Sequence, residues 1–369
     1  MQRHKSRLAF SMIAAAFFLA AIIAEPSSLP AVSAQSAASQ FGTTTERAAA
    51  GLQASLDKGE AVDKDSVEAN PVADDDSEDA PIKAHPIPIP LPGGLDHVAN
   101  GVGTRNAGFG TIRLRGTPPG AVAVRAFLYW GTIYDGAAIP INARATFNGR
   151  HVIGRVVGVS APPCWPGSFF AAYRASVIAL LTPGIDGDYL VSDLPTSLKD
   201  GRDPWLHAPV PAPRPLSEGA SLVVIYAHNS TPLSARVFLN QGAAMFFGTV
   251  DINNALPQPV PNYSISKHTR LGADGQVGSS TFAILPVTDE RTFLGPNPGS
   301  LTQIKGPGSG FNGDSDWNGT DGGPLNQLWD TQTSSFFEQL IPPGSTSYTV
   351  RYVSNGDCIV AVAHVLGVK

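Results

Sequence analysis

The sequence predicts an all-β protein: two tandem β-sandwich units of jelly-roll or Greek-key type, carried behind a signal peptide and a disordered acidic stalk. Three observations lead there. The apolar run LVVIYAH at 222–228 returns as CIVAVAH at 358–364, and each copy follows a similar segment, LLTPGIDGDYLV at 180–191 and LIPPGSTSYTV at 340–350. One strand-turn-strand plan is thus used twice. Charged residues make up only 15% of the chain against 38 Gly and 32 Pro, a balance suited to short strands and many turns rather than long amphipathic helices. Finally, strand-forming runs recur from 121 onward, and only 169–181 also invites a helical reading.

The elements follow in order. Arg3, Lys5 and Arg7 precede an apolar stretch at 8–24 and small residues through Val32, Ser33 and Ala34, the layout of a secretory signal peptide over 1–34. A retained N-terminal anchor is the alternative, because a stretch of that length could just span a thin bilayer. No later run approaches it, so neither a transmembrane span in the mature chain nor a C-terminal sorting tail or anchor after Lys369 is expected. Residues 35–94 are rich in Ala, Ser, Asp and Glu, with Asp74, Asp75, Asp76, Glu78 and Asp79 in one cluster. Such a segment buries too little apolar surface to offset its ordering entropy, so it reads as a disordered acidic stalk. PIPIPLP at 86–92 ends it as a stiff polyproline II spacer or a docking motif for a partner.

The first folded unit is expected over 95–252. AVAVRAFLYW at 121–130 places Val122, Val124, Ala126, Leu128 and Trp130 on one strand face and Arg125 on the other. ATFNGRHVIG at 145–154 carries Asn148-Gly149, a hairpin signal. FFAAYRASVIALL at 169–181 reads as a strand with a short helical entry. The Pro-rich stretch 200–215 is a surface loop, and 222–227 is a strand buried on both faces, since neither of its sides is polar. NNALPQPVPNY at 253–263 marks the boundary to a second unit, 253–369. Each unit is large enough for its own core.

A formal net charge of −5 and the lack of a Lys/Arg cluster beyond the first residues leave no electrostatic footprint for nucleic acid. The series FLYWG (127–131), FNGRHV (147–152), DYLVSDL (188–194), GASLVVIYAH (219–228), WDT (329–331) and GDCIVAVAHVLGV (356–368) resembles a group of secreted bacterial β-sandwich modules of surface-exposed and surface-anchored proteins, whose functions are largely unassigned. The resemblance implies fold and location only.

Several residues invite a chemical reading. Cys164 and Cys358 form an even pair, read as a disulfide in an oxidising compartment, with two buried thiols as the alternative. Asp314, Asp316, Asn318 and Asp321, with Gly319 at the bend, have the spacing with which short oxygen side chains converge on Ca²⁺; Leu325 stands where the bidentate Glu is expected, which favours a solvated turn. Both repeated runs end in a histidine, His228 and His364, which could pair or could simply cap the core. Trp165, Trp205, Trp317 and Trp329 could stack on sugars, Trp317 foremost, or pack inside. HExxH, GxSxG and phosphate-binding glycine loops are absent from the sequence.

The expectation is therefore a secreted, non-enzymatic module for adhesion, matrix or surface-assembly contacts with an extracellular protein or polysaccharide. A carbohydrate-binding module is one alternative. A hydrolase without a standard motif is another, and it would need Asp314, Asp316, Asp330 and Asp357 to converge with a histidine.

Overall fold

The computed structural model describes residues 94–136, 138–160, 168–202, 213–273, 290–305 and 328–369, without the side chains of 355–357. Eight strands build a first antiparallel sheet: β1 (Leu95–Gly103), β2 (Gly110–Leu114), β3 (Val122–Asp135), β4 (Asn142–Phe147), β5 (Arg150–Ser160), β6 (Ser168–Ser176), β7 (Gly187–Ser192) and β8 (Leu216–Ala227). Their order, β1-β8-β3-β6-β5-β4-β7-β2, departs from chain order as in Greek-key sheets. The second sheet comprises β9 (Arg236–Ala255), β10 (Ser266–Ala273), β11 (Arg291–Pro296), β12 (Thr302–Lys305), β13 (Trp329–Phe336) and β14 (Ser347–Val368). Here β14 is central: β9 runs along one side of it, while β11 and β10 share the other. The all-β class is as the turn-rich composition predicts.

Three apolar cores hold these sheets. The first sheet curls, bringing Ile112 and Leu114 of β2 into one cluster with Leu128, Trp130 and Leu222. The curl sets the edges β1 and β2 side by side, where Asn100 Nδ2 donates to the Arg113 carbonyl at 2.7 Å. A second core lies between the sheets, with Phe127, Tyr129, Phe170 and Ile225 facing Leu239, Leu271, Trp329 and Val365. The third lies within the second sheet, whose long β9–β14 ribbon breaks register between Ser354 and Ile359. Tyr348 and Tyr352, before the break, there share a core with Leu366 and Phe238 beyond it.

β8 has apolar side chains in the first core (Leu222, Val224) and in the second (Val223, Ile225), as its sequence predicts. Asn148 (φ 48°) and Gly149 (φ 74°) close the β4–β5 hairpin with Phe147 opposite Arg150, both in the left-handed region that this turn requires. Other expectations need revision. A bulge between Ala123 and Arg125 turns Val124 out of line with Ala126, Leu128 and Trp130 and into the second core. The helical turn beside β6 is its exit, Ile178–Leu180, rather than its entry. The change of sheet falls between β8 and β9, so 236–252 belongs to the second sheet, and β9 runs unbroken through the boundary expected at 253. LVVIYAH and CIVAVAH are central strands of different sheets, but their forerunners differ: DYLV is the separate strand β7, whereas SYTV and CIVAVAH are one strand, β14.

The sheets meet backbone to backbone where β5 passes β9. A Cβ on Gly158 would stand 2.2 Å from the Ala243 nitrogen and 2.3 Å from the Gly242 carbonyl carbon, both backbone atoms that cannot swing aside. Gly158→Ala is expected to lower stability by about 1–3 kcal/mol, read as a shift of the urea midpoint. An unshifted midpoint would mean that the sheets do not meet there.

Candidate functional site

The interior charges tie the sheets together. Asp96 of β1 receives Lys267 Nζ at 2.5 Å and Lys369 Nζ at 2.6 Å, both from the second sheet's side. Burial raises the Asp96 carboxyl, but the two ammoniums outweigh it and hold it well below the usual carboxylate range. Beside it, buried His97 meets Thr269 Oγ1 at 2.8 Å. Glu218, fully buried, accepts from Arg105 at 2.6 Å, and burial pushes its carboxyl up against the pull of that guanidinium. Tyr129 and Arg174 of the first sheet both donate to Gln241 Oε1 of β9, each at 2.8 Å.

The third core holds two histidines. His268 and His364, both fully buried, have ring centroids 5.6 Å apart, and none of their ring nitrogens is hydrogen-bonded. They share a sheet face because His364 opposes Arg270, two residues along from His268. Tyr348 packs edge-on against His364 and accepts from Asn240 at 2.5 Å. Desolvation lowers His364 to about 3, and burial carries His268 well below its ordinary value too. Both rings are therefore neutral at pH 7.

His228 and His364 do not meet. His228 is solvent-facing, with Nδ1 on Ser230 Oγ at 2.7 Å and Nε2 on the Pro119 carbonyl at 3.1 Å. Trp329 is no stacking platform: it is wholly buried, and its Nε1 donates to Ser221 Oγ at 2.9 Å. Asp330 is likewise buried in β13. Asp314, Asp316, Asn318, Asp321, Trp165, Trp205, Trp317 and Cys164 lie outside the described residues, as does the Asp357 side chain. Cys358 stands in β14, and no cysteine among the described residues is free. Among the described residues no three His, Cys, Asp or Glu side chains gather as a metal site, and no helix is long and apolar enough to cross a membrane.

A shallow, open hollow includes Asp251, Asn253, Thr349 and Arg351. Its polar groups engage each other: Arg351 grips both Asp251 oxygens, at 2.6 and 2.7 Å, and Thr349 donates to Asn253 at 2.7 Å. Its single carboxylate is held down by that guanidinium, which leaves neither a base nor a carboxylate pair.

The outer face of β5, β4, β7 and β2 is different, because alternation there sends Ala143, Ala145 and Val152 inward and leaves the other side to solvent. Arg155 of β5 stands directly opposite Arg174 of β6, and Arg144 of β4 is diagonal to Arg155, opposite Ile153. Like charges in facing positions repel. Arg174 is accommodated by Gln241 and by the Phe127 ring 4.8 Å below its guanidinium carbon. Arg144 and Arg155 are exposed and have no acidic partner among the described residues. The nearby acids are engaged otherwise: Asp188 pairs with Arg115, and Asp193 is held down by Thr146 and Ser192. Ile153, 64% exposed, and Leu190, 45% exposed, add apolar area. Such a row suits planar, bidentate recognition of carboxylate or sulfate groups. Sequence reading missed it, since the arginines come from separate strands and only the register gathers them.

No protein-family description and no curated protein matches the chain. Among solved structures, a conserved protein of unknown function from Pseudomonas aeruginosa PAO1 aligns over 74% of this chain and 99% of its own, at 12% identity and a TM-score of 0.22. The STIV MCP covers 73% of this chain and 96% of its own at 11% identity, and a Sputnik virophage structure 83% and 91% at 8%, each with a TM-score of 0.16. Likenesses at these TM-scores carry no argument about this protein.

Proposed function

We propose that the chain is exported and acts without catalysis, as a β-sandwich module making adhesive, matrix or assembly contacts at or beyond the cell surface. Its working surface is the open face of β5, β4, β7 and β2. The observation that carries this reading is the arginine row: the buried carboxylates Asp96 and Glu218 have cationic partners, whereas Arg144 and Arg155 are exposed beside Ile153 without an acidic partner among the described residues. The mixture of guanidinium and aliphatic surface suits an extracellular protein or polysaccharide carrying acidic groups. A screen of the exported protein against acidic and neutral glycans and cell-surface fractions tests it. Arg144→Gln with Arg155→Gln should cost about tenfold in affinity, 1.4 kcal/mol, with an unchanged melting temperature. A ligand bound equally by the double variant would overturn the assignment.

Two finer elements belong to the same reading. The Cys164–Cys358 bridge would stabilise an exported chain. The loop bearing Asp314, Asp316, Asn318 and Asp321 would take Ca²⁺ weakly, its clustered carboxylates needing a cation or solvent to screen them. Calcium titration of the whole chain is expected to change Trp317 fluorescence in the millimolar range, roughly that of extracellular modules, and Asp316→Ala should abolish the change. A flat titration in the wild type would rule out calcium binding there.

A further inference from the structure

Resting on the reading of the β4–β5 face as the working surface, we infer that in the free protein this face is covered by the chain's own acidic segment 74–79, which docks in cis on Arg144, Arg155 and Arg174 and which an external acidic polymer must displace.

Charge complementarity is the first argument. Arg144 and Arg155 have no acidic partner among the described residues, and Arg155 faces Arg174 directly across the β5–β6 ladder, an arrangement that repels itself until an anion lies over it. The chain contains one dense anion. Residues 74–79 supply five carboxylates in six positions, Asp74, Asp75, Asp76, Glu78 and Asp79, whereas the acids further upstream, Asp57, Glu60, Asp63, Asp65 and Glu68, are interrupted by Lys58 and Lys64. Carboxylates meeting guanidinium forks form the strongest polar contacts available to an exposed face.

Reach is the second argument. Leu95 and Val122 both lie opposite Ala227, while Arg155 is level with Arg174 and so with Tyr129. The second sheet covers β8, β3 and β6 on this side, so the tether runs the other way round the curl, from β1 over β2, β7 and β4 to β5. That is four strand spacings, roughly 19 Å, with an offset along the strands of roughly 23 Å, that of Val122 to Tyr129. The straight path is about 30 Å. Residues 80–94 join Asp79 to β1 and span up to about 50 Å when extended. A segment tethered at that length works at an effective concentration of about a millimolar, so individually weak ion pairs suffice to occupy the face in cis.

The test uses the whole chain and poly-L-glutamate as the probe, by fluorescence anisotropy at low salt. A variant with Asp74, Asp75 and Asp76 changed to Asn, Glu78→Gln and Asp79→Asn is expected to bind the probe at least tenfold tighter than wild type. A second variant with Asp57, Glu60, Asp63, Asp65 and Glu68 changed to amides has the same net charge and should gain much less. Adding Arg144→Gln and Arg155→Gln to the first variant should remove its gain. Equal binding by wild type and the first variant, lost in both on changing the arginines, would overturn the cover and keep the face. Binding indifferent to the arginines would overturn the face itself. Light scattering completes the test: wild-type dimers that dissociate on neutralising 74–79 would overturn docking in cis in favour of docking between copies.

Discussion

Acidification from pH 7 to pH 4 is expected to destabilise the fold by roughly 3 kcal/mol through His364 alone, with His268 adding to it. Both rings are fully buried and lack hydrogen-bond partners, and burial lowers both, His364 to about 3. The groups facing them on the neighbouring strands are Arg270, Tyr348, Tyr352 and Asn240, with Gln332 bonded to Arg270 at 2.8 Å. The buried carboxylate nearby, Asp330, acts on Arg270 and accepts from Gln332 rather than stabilising either imidazolium. Because the folded values lie below the ordinary 6.5, the unfolded chain takes up protons first as the pH falls. The stability is complete above 6.5 and drains away between there and about 3. Replacing both rings, His268→Leu with His364→Leu, should flatten this acid limb while costing little at pH 7, since two unpartnered polar groups are exchanged for apolar ones. Melting temperatures across pH 4–8 decide it: parallel curves for wild type and variant would remove the histidines as the cause.

Loss of the Asp96 carboxylate is the other change with a large expected effect. Asp96→Asn removes the negative charge opposite the half-buried Lys267 ammonium and leaves it only neutral acceptors, the new amide oxygen and the His97 carbonyl. Breaking a buried pair from one side typically costs about 3–5 kcal/mol, and the partial exposure of Lys267 puts this change near the lower figure. The same carboxylate holds Lys369, so the last turns of β14 and its pairing with β10 should loosen first, seen as faster hydrogen exchange over 264–273 and 360–369. Burial already lowers Lys267. Its ammonium should therefore shed its proton more readily in the variant, and the deficit should shrink as the pH approaches 10. A denaturation midpoint within experimental error of wild type would show that the tie between the sheets is carried by packing alone.

Legibility in the sequence followed the range of the interactions involved. β8 and the Asn148-Gly149 hairpin could be read because their signals are local: two apolar faces in one run, and two residues able to take positive φ. The bulge at Val124 could not, because nothing in AVAVRAFLYW marks where β8 slips against β3. The Pro-rich stretch after Asn253 suggested a domain boundary where the structure ends β9, since proline stops a strand without saying which sheet the strand belongs to. The polar run SKHTRLG at 266–272 carries no local signal of burial. In the fold, Thr269 meets His97 of the other sheet while His268 and Arg270 point into the third core, so both sides are enclosed by elements distant in sequence. The arginine face shares that cause, being a product of register.

The β9–β14 ribbon has a consequence for how the molecule is made. β14 occupies 347–368, yet it is the shared neighbour of β9, β10 and β11, which begin at Arg236, Ser266 and Arg291. Pairings so distant along the chain are slow to form, because loop closure is spent before any contact rewards it. The first sheet has all eight of its strands by Ala227, while the second must wait until its hub has been synthesised. Until then β9 offers an unpaired edge of 20 residues to any other nascent copy. Crowded expression should therefore produce aggregates seeded by β9, and yield should respond more to substitutions along β14 than to equally destabilising ones in the first sheet.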